Sequence, residues 1–255
     1  MKLVTLIENT TRREDLTAEH GLSLYIEANG KKILFDTGAS GAFADNAETL
    51  GVDLGAVDFA VLSHGHYDHG GGLSRFLEIN KKAPVYLSPY GFEPHYNAAG
   101  KEIGLDPKLQ SNPRLIPVEA PKELAPGIWL HTCPLPPADT AGMTVREGDV
   151  HHPEDFRHEQ YLMIEEADRH ILISGCSHKG ILNLVAFFRP DILIGGFHFM
   201  KVEDEAVLTN AAGTLLQYDT RYYTGHCTGQ QQYALMKMLM GERLQELYTG
   251  SEENL

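Results

Sequence analysis

The sequence predicts a mixed α/β fold, and three observations lead to that prediction. Short apolar runs typical of strands recur along the chain, and several of them are followed by helical patterns. The chain has 255 residues, 42% of them hydrophobic, so it can bury one large core. Polar clusters rich in histidine follow directly after several apolar runs. In layered α/β folds such strand ends meet at one edge of the sheets, where ligands are usually held.

The first predicted elements form an antiparallel hairpin. Residues 22–27 alternate between apolar and polar side chains, and Asn29-Gly30 is a typical two-residue turn before a second strand at 32–35. Further elements of the first half are predicted as strands at 59–62 and 84–87 and as a helix at 73–77.

The segment from about residue 89 to 153 differs in composition from the rest of the chain. Prolines, glycines and polar residues dominate it, and only short apolar runs such as Ile128-Trp129-Leu130 interrupt them. We interpret this segment as a loop-rich cap inserted into a single domain that spans residues 1–255.

Regular patterns return in the second half of the chain. Continuous apolar runs at 161–164 and 170–173 are typical of buried strands. Two further strands are predicted at 191–194 and 221–224, and helices at 181–188, 205–216 and 230–240.

Composition and charge exclude several classes of protein. The net charge of −14 repels phosphate backbones and no Lys/Arg cluster is longer than two, so we expect no nucleic-acid partner. No apolar run approaches the roughly 20 residues that cross a bilayer, and the first eight residues lack a signal-peptide pattern. The three cysteines, Cys133, Cys176 and Cys227, are too few for a disulfide framework. We therefore expect a cytoplasmic protein.

One cluster concentrates the groups that bind metal ions. The stretch Ser63-His64-Gly65-His66-Tyr67-Asp68-His69 follows an apolar run and places three imidazoles and a carboxylate within six residues. Histidines two apart project to one side of an extended strand or its exit loop, but to opposite sides of a helix. These are the ligand types that zinc and similar ions prefer. The cluster therefore predicts a metal site, and its four potential ligands suggest two ions.

Four more short polar motifs follow apolar runs and are expected at the same edge. They are Asp36-Thr37-Gly38, Gly175-Cys176-Ser177-His178, Gly195-Gly196-Phe197-His198 and Thr224-Gly225-His226-Cys227. A lone histidine in such a position is as often a structural side chain as a ligand. Next to the first cluster, however, His178 and His226 become candidate ligands.

The pattern His64-x-His66-x-Asp68-His69 resembles the signature of the metallo-β-lactamase superfamily, and the other motifs follow in the order of that family. The resemblance covers nearly the whole chain. It implies a four-layer αββα sandwich with a dinuclear metal site at the edge of its two sheets. The later motifs are most similar to a branch that includes an archaeal dihydropterin synthase of methanopterin biosynthesis.

Matched position by position, the resemblance implies two sets of ligands. The first metal ion would be held by His64, His66 and, as our choice for the remaining imidazole, His178. The second would be held by Asp68, His69 and His226.

Two further residues of the motifs have roles to be decided. Asp36 matches a carboxylate that orients a histidine in this family and does not bind metal itself. Cys176 falls where most of the family carries an aspartate that bridges the two ions. A thiolate there would be a ligand, whereas a neutral thiol would leave the second ion weakly held and the site mononuclear.

Asp36-Thr37-Gly38 also resembles the active-site loop of retroviral-type aspartic proteases. Those enzymes need two such aspartates that share a proton, and the chain carries only one copy. That interpretation would require a dimer and would leave the histidines unexplained.

The resemblance implies one or two ions, zinc first, with iron or manganese as alternatives. Such ions polarise a substrate oxygen and lower the pKa of bound water toward ~7, so the main hypothesis is a hydrolase. Asp68 is a candidate proton acceptor, and His198 is a candidate for binding an anionic group or delivering a proton. The alternatives are a transferase that joins a pterin pyrophosphate to an arylamine, and a non-hydrolytic metal-binding or redox protein. The expected partner is a small molecule that is anionic or heteroaromatic. Aromatic residues of the cap could stack on a flat ring of such a substrate, namely Tyr90, Phe92, Tyr96 and Trp129.

Overall fold

A computed structural model describes all 255 residues and contains two seven-stranded sheets, one three-stranded sheet and six α-helices, numbered here along the chain. The first sheet has the spatial order β17-β1-β2-β3-β4-β5-β7. Its strands are β1 (Lys2–Ile7), β2 (Ser23–Ala28), β3 (Lys31–Phe35), β4 (Phe59–Val61), β5 (Val85–Leu87), β7 (Leu115–Pro117) and β17 (Glu252–Asn254). From β3 to β7 neighbouring strands run parallel.

The second sheet has the spatial order β16-β15-β14-β13-β12-β9-β8. Its strands are β8 (Lys122–Ala125), β9 (Ile128–His131), β12 (Tyr161–Glu166), β13 (Arg169–Ile173), β14 (Ile192–Ile194), β15 (Arg221–Thr224) and β16 (Leu244–Glu246). Strands β13 to β16 run parallel, so the loops after them leave the sheet at the same edge.

The predicted cap segment, residues 89 to 153, is divided among all three sheets. Strands β6 (His95–Tyr96), β10 (Thr144–Glu147) and β11 (Val150–Pro153) form the small sheet, with β10 in its centre. Within the same segment, β7 is an edge strand of the first sheet, and β8 and β9 belong to the second. Only part of the segment therefore lies outside the two main sheets.

Six helices accompany the sheets. They are α1 (Ala42–Thr49), α2 (Tyr67–Gly70), α3 (Leu73–Ile79), α4 (Ile181–Phe188), α5 (Glu205–Leu215) and α6 (Gln230–Met240). Helix α4 ends at Phe188, and the residue after it, Arg189, has a left-handed conformation directly before Pro190, which cannot continue a helix. None of the helices has the length and apolar content needed to cross a bilayer.

Alternating side chains of the strands build three layers of core. In β12, Leu162 and Ile164 face the first sheet and share a cluster with its residues, such as Leu24. Their neighbours Tyr161 and Met163 face the other way and pack with α4, α5 and α6. The outer face of the first sheet packs in the same manner against α1 and α3. Two sheets packed face to face between helices confirm the predicted four-layer αββα sandwich.

Candidate metal centre

Five loops meet at one edge of the sandwich, and each follows the carboxyl end of a parallel strand. The loops after β3 and β4 carry Asp36 and the residues 63–72, and those after β13, β14 and β15 carry Cys176 with His178, His198 and His226. The loops of the first sheet contact those of the second sheet, since His69 Nε2 lies 3.2 Å from Cys176 Sγ. The strand-end motifs are therefore brought together in space.

Four residues of these loops adopt a left-handed backbone conformation that is uncommon outside glycine. Their φ angles are 59° for Asp36, 55° for Ser177, 59° for His198 and 50° for His226. Each such residue costs of the order of 1 to 3 kcal/mol and persists only where the surroundings fix it. The concentration of this strain in the loops at one edge is typical of a functional site.

Asp36 is fully buried and holds the first motif in place. The backbone N–H and the hydroxyl of Ser63 donate to its two carboxylate oxygens, each at 2.7 Å. His69 Nδ1 lies 2.6 Å from Asp36 Oδ2, so the ring donates there and turns its Nε2 lone pair outward. A carboxylate with no exposure to solvent cannot activate a water in an open cleft, which argues against the aspartic-protease alternative.

One group of potential ligand atoms surrounds the Nε2 atom of His69. His226 Nε2 lies 3.1 Å from it and Cys176 Sγ 3.2 Å from it. Asp68 Oδ2 is 3.4 Å from His226 Nε2 and 4.0 Å from His69 Nε2. These atoms come from the predicted second ligand set together with Cys176, and all four residues are buried.

The orientation of His226 is fixed by residues that follow β1. Its Nδ1 lies 2.9 Å from Asn9 Oδ1, which can only accept, so Nδ1 carries the proton and Nε2 the lone pair. The His226 backbone N–H donates to the buried carboxylate of Glu8 at 2.5 Å. Two imidazole lone pairs, those of His69 and His226, therefore face each other at a separation that a shared cation would stabilise.

A second group of potential ligand atoms lies beside the first. His64 Nε2 and His178 Nε2 are 3.4 Å apart, and Cys176 Sγ lies within 4.8 Å of both. The Ser63 hydroxyl uses its only proton to donate to Asp36, so it can only accept from His64 Nδ1, which lies 2.8 Å away. The proton of His64 is therefore on Nδ1, and Nε2 carries the lone pair. The sulfur of Cys176 is common to both groups, which is the position of a bridging ligand.

Burial sets the charge of most of these imidazoles. It lowers the pKa of His66 to about 3 and that of His226 to about 4, and it holds the pKa of His64 and His178 well below the usual value. Neutral imidazole is the form that binds metal ions. At His69 burial also lowers the pKa, but the charges of Asp36 and Asp68 outweigh it and the pKa is raised. Those carboxylates favour a cation at this ring.

Burial raises the pKa of the Cys176 thiol well above its usual value, with a further contribution from the neighbouring Cys227. In the absence of a cation the thiol is therefore protonated, and a metal ion would have to displace that proton.

Replacing Cys176 by alanine should therefore lower the metal content by up to one ion per chain. Metal should also protect this thiol from alkylation in the wild-type protein, because coordination ties up the sulfur lone pairs. Elemental analysis and iodoacetamide labelling with and without metal test both points. Cys133→Ala is the matched control, since Cys133 is a buried thiol of the second-sheet core. An unchanged number of metal ions per chain in Cys176→Ala would show that the sulfur is not a ligand.

The remaining predicted residues lie around these two groups. The ring of His66 is 4.5 Å from that of His64 and 5.1 Å from that of His178, measured between centroids. The ring of His198 lies 4.5 Å from that of His178 and is only partly buried. Lys179, which directly follows His178, donates from Nζ to the carbonyl of Asp155 at 2.5 Å.

The aromatic residues expected to stack a substrate are scattered. Trp129 lies on β9 and packs with the helices of the second sheet, and Tyr90 packs against the guanidinium of Arg157. They do not form one surface at the centre.

Sequence reasoning missed several residues of the centre. His20 is half exposed and places Nε2 3.3 Å from Asp68 Oδ2, with its ring 4.9 Å from that of His226. Glu8 and Asn9 orient His226, and none of these three residues belongs to a motif. Their only local signal is that Glu8 and Asn9 directly follow an apolar run.

The chemistry of these side chains fits a metal ion. Nitrogen, sulfur and carboxylate ligands suit zinc and iron. His64, His69 and His226 each have a hydrogen-bond partner on Nδ1, and that partner directs the Nε2 lone pair toward the other ligands. Without a cation, buried lone pairs would face one another unsatisfied, which is costly.

The chain is similar to known proteins in sequence and in fold. A sequence profile of the metallo-β-lactamase superfamily matches residues 16–223. The chain is 28% identical to the 7,8-dihydropterin-6-methyl-4-(beta-D-ribofuranosyl)-aminobenzene-5'-phosphate synthase of Methanocaldococcus jannaschii, over 98% of this chain and 95% of that protein. It is 29% identical to an uncharacterised protein of the same organism, over 88% of this chain and 89% of that one.

Two solved structures share the fold. Tm1679, described as a metal-dependent hydrolase of the β-lactamase superfamily, superposes with a TM-score of 0.84 at 26% identity and covers 100% of this chain and 99% of its own. Zn(2+)-bound PqqB from Methylobacterium extorquens superposes with a TM-score of 0.66 at 12% identity, and both chains are covered completely, at 100%. The second likeness concerns the fold alone.

Proposed function

Because the chain belongs to the metallo-β-lactamase superfamily, we propose that it is a metal-dependent hydrolase with two ion positions that share Cys176. The first position would use His64, His66 and His178. The second would use Asp68, His69 and His226. Zinc suits this set of nitrogen, sulfur and oxygen ligands best, and iron or manganese are alternatives.

One observation supports the proposal above the others. The Nε2 lone pairs of His69 and His226 face each other at 3.1 Å, with a sulfur atom at 3.2 Å, and each ring is locked in that tautomer by a partner on its other nitrogen. Two nitrogen lone pairs gain nothing from this approach unless a proton or a metal ion lies between them, and the sulfur and carboxylate atoms beside them supply the further ligands that a metal ion needs.

When bound, the ions would supply Lewis acidity and make water a nucleophile at neutral pH. The protein side chains then have to position the substrate and handle protons. Asp68 retains some exposure and lies beside the partly exposed His20, so its carboxylate is placed to accept a proton at the entrance to the centre. His198 lies beside His178 on the other side, where it can contact a substrate group.

We propose a small molecule as substrate. An open cavity of about 430 Å³ has His226 in its wall, with Asn9, Thr10 and Gln232 among its polar lining residues. That volume is in the range of small-molecule sites. The net charge of −14 disfavours nucleic acid, and a cytoplasmic location agrees with the free cysteines.

A transferase is the second candidate function, and the near full-length similarity to a dihydropterin synthase favours it. In that reaction a pterin pyrophosphate would react with an arylamine, and pyrophosphate would be the leaving group. The ions would bind the negative charge of that pyrophosphate. The same ligand residues serve both functions, so only the products distinguish them.

Activity of the purified protein should be abolished by a chelator and restored by added zinc, iron or manganese, because the proposed reaction depends on a water that the ions would activate. We would screen phosphodiester, ester, lactam and thioester substrates, and in parallel a dihydropterin pyrophosphate with an arylamine phosphate. Hydrolysis products alone support the hydrolase, and a coupled product supports the transferase. Activity that survives complete metal removal would overturn both.

A further inference from the structure

A second group of histidines lies behind His66 and is not used by the proposed reaction. His95 comes from β6 of the small sheet, and Glu154 and His158 come from the segment that follows β11. His66, His95 and His158 each place one ring nitrogen within 4.8 Å of the other two. All of these side chains are buried, with Glu154 only 1% exposed.

The partners of these rings determine their tautomers. The backbone N–H of Gly65 donates to His158 Nδ1 at 2.8 Å, so the proton of neutral His158 is on Nε2. His95 Nδ1 lies 2.7 Å from Glu154 Oε2 and donates to it, so His95 Nε2 carries a lone pair. Since His158 offers a donor and not a lone pair, these three rings are not the ligand set of another ion.

The three Nε2 atoms of this group are nevertheless buried without a hydrogen-bond partner. Each unsatisfied buried group costs about 1 to 3 kcal/mol. The ring of His66 lies 5.5 Å from that of His95 and 5.1 Å from that of His158, measured between centroids. His158 Nε2 lies 3.8 Å from Glu154 Oε1, so this carboxylate is on the side of the His158 donor, and the lone pair of His95 Nε2 is left for a donor from His66. If His66 binds an ion through Nδ1, its Nε2 carries a proton and becomes a second donor.

We propose that His95 and Glu154 form a positioning pair for His66, which rests on the proposed role of His66 as a metal ligand. His95 Nε2 accepts the Nε2–H of His66 through one buried water. Such a water has two polar partners, which is within the range for buried waters. The carboxylate of Glu154 keeps His95 in the accepting tautomer, and the chain of bonds holds Nδ1 of His66 toward the centre.

The pair should raise the affinity for the first ion specifically. Partners of this kind fix the ring of a metal-binding histidine and increase its basicity, and their loss typically costs 10- to 100-fold in metal affinity. The second position is not expected to change, because His69 is held by Asp36 and His226 by Asn9.

The test is a titration of the metal-free full-length protein with zinc against a competing chelator. His95→Phe should lower the affinity for one of two ions by about 10- to 100-fold. His95→Gln, whose amide oxygen can accept near the position of Nε2, should recover part of the loss. Glu154→Gln keeps the shape of the side chain and an acceptor for His95, so it should lower the affinity for the same ion by an intermediate amount. It provides the test if His95→Phe does not fold.

Two measurements distinguish a loss of the orientation of His66 from a general loss of structure in the variant. Nitrogen-15 NMR of the imidazoles should show His66 protonated on Nε2 in the wild type, and a mixture of tautomers in His95→Phe. His151→Phe is the matched control, because His151 is an exposed histidine on β11 of the same small sheet and should bind both ions normally.

Wild-type affinity for both ions in His95→Phe and Glu154→Gln would overturn the proposal, as would an equal loss at both positions. A wild-type protein that binds no ion would overturn the proposed function, and this proposal with it.

Discussion

Replacing both His66 and His69 by alanine should remove most of the metal from the purified protein. The two histidines belong to different ligand groups, so the double variant damages both ion positions at once. Each position loses one imidazole, and the ligands that remain at the two positions have to share the single sulfur of Cys176, so neither ion keeps its own full set. Elemental analysis after purification in zinc-containing buffer should give between one and two equivalents for the wild type and close to none for the variant.

The control replaces two histidines that lie away from the centre. His152 on β11 and His170 on β13 are both about half exposed and contact only surface carboxylates. A His152→Ala, His170→Ala variant should keep the full metal content. If the His66 and His69 variant keeps it as well, the assignment of the centre is wrong.

Replacing Asp36 by alanine should have the largest effect on stability. The change leaves the N–H and hydroxyl of Ser63 and the Nδ1–H of His69 without their buried acceptor. Removing one partner of a buried charged network typically costs about 3 to 5 kcal/mol. His69 would also be free to rotate, so we expect loss of the second ion as well.

Urea unfolding with excess chelator measures the first effect, and elemental analysis measures the second. Asp45→Ala is the matched control, because Asp45 is an exposed carboxylate on α1. Asp36→Asn keeps the volume and one acceptor, so it should fall between alanine and wild type. Wild-type stability and full metal content in Asp36→Ala would mean that the carboxylate holds neither Ser63 nor His69.

Most of the fold could be predicted because its signals are local. Helices α4, α5 and α6 match the predicted segments within one residue, since each has a clear helical pattern between turn residues. The short strands of the segment from 89 to 153 could not be predicted, although the equally short β4, β5 and β14 follow from their continuous apolar runs. Strands β7, β8 and β9 have three or four residues, too few for the alternation of a strand to stand out within a segment rich in proline and glycine.

The candidate site could be predicted only where its residues are close together in sequence. The cluster from His64 to His69 identifies itself, because four metal-binding side chains occur within six residues. His20, His95 and His158 are isolated histidines, and a chain with thirteen of them gives no reason to select these three. Their relation to the centre arises from strand pairing and loop packing over long distances.

The division of the ligands between the two sheets has a consequence for how the protein is made. A ribosome synthesises the chain from residue 1, so His64 to His69 are complete long before Cys176, and His226 follows last. Until the loop after β13 has emerged, the first histidines have no partners from the second sheet with which to enclose an ion, and the second position stays incomplete until His226 follows. Both ligand sets are therefore complete only in a nearly finished chain, and an ion captured earlier by the nascent histidines would be held by fewer ligands and exchange readily.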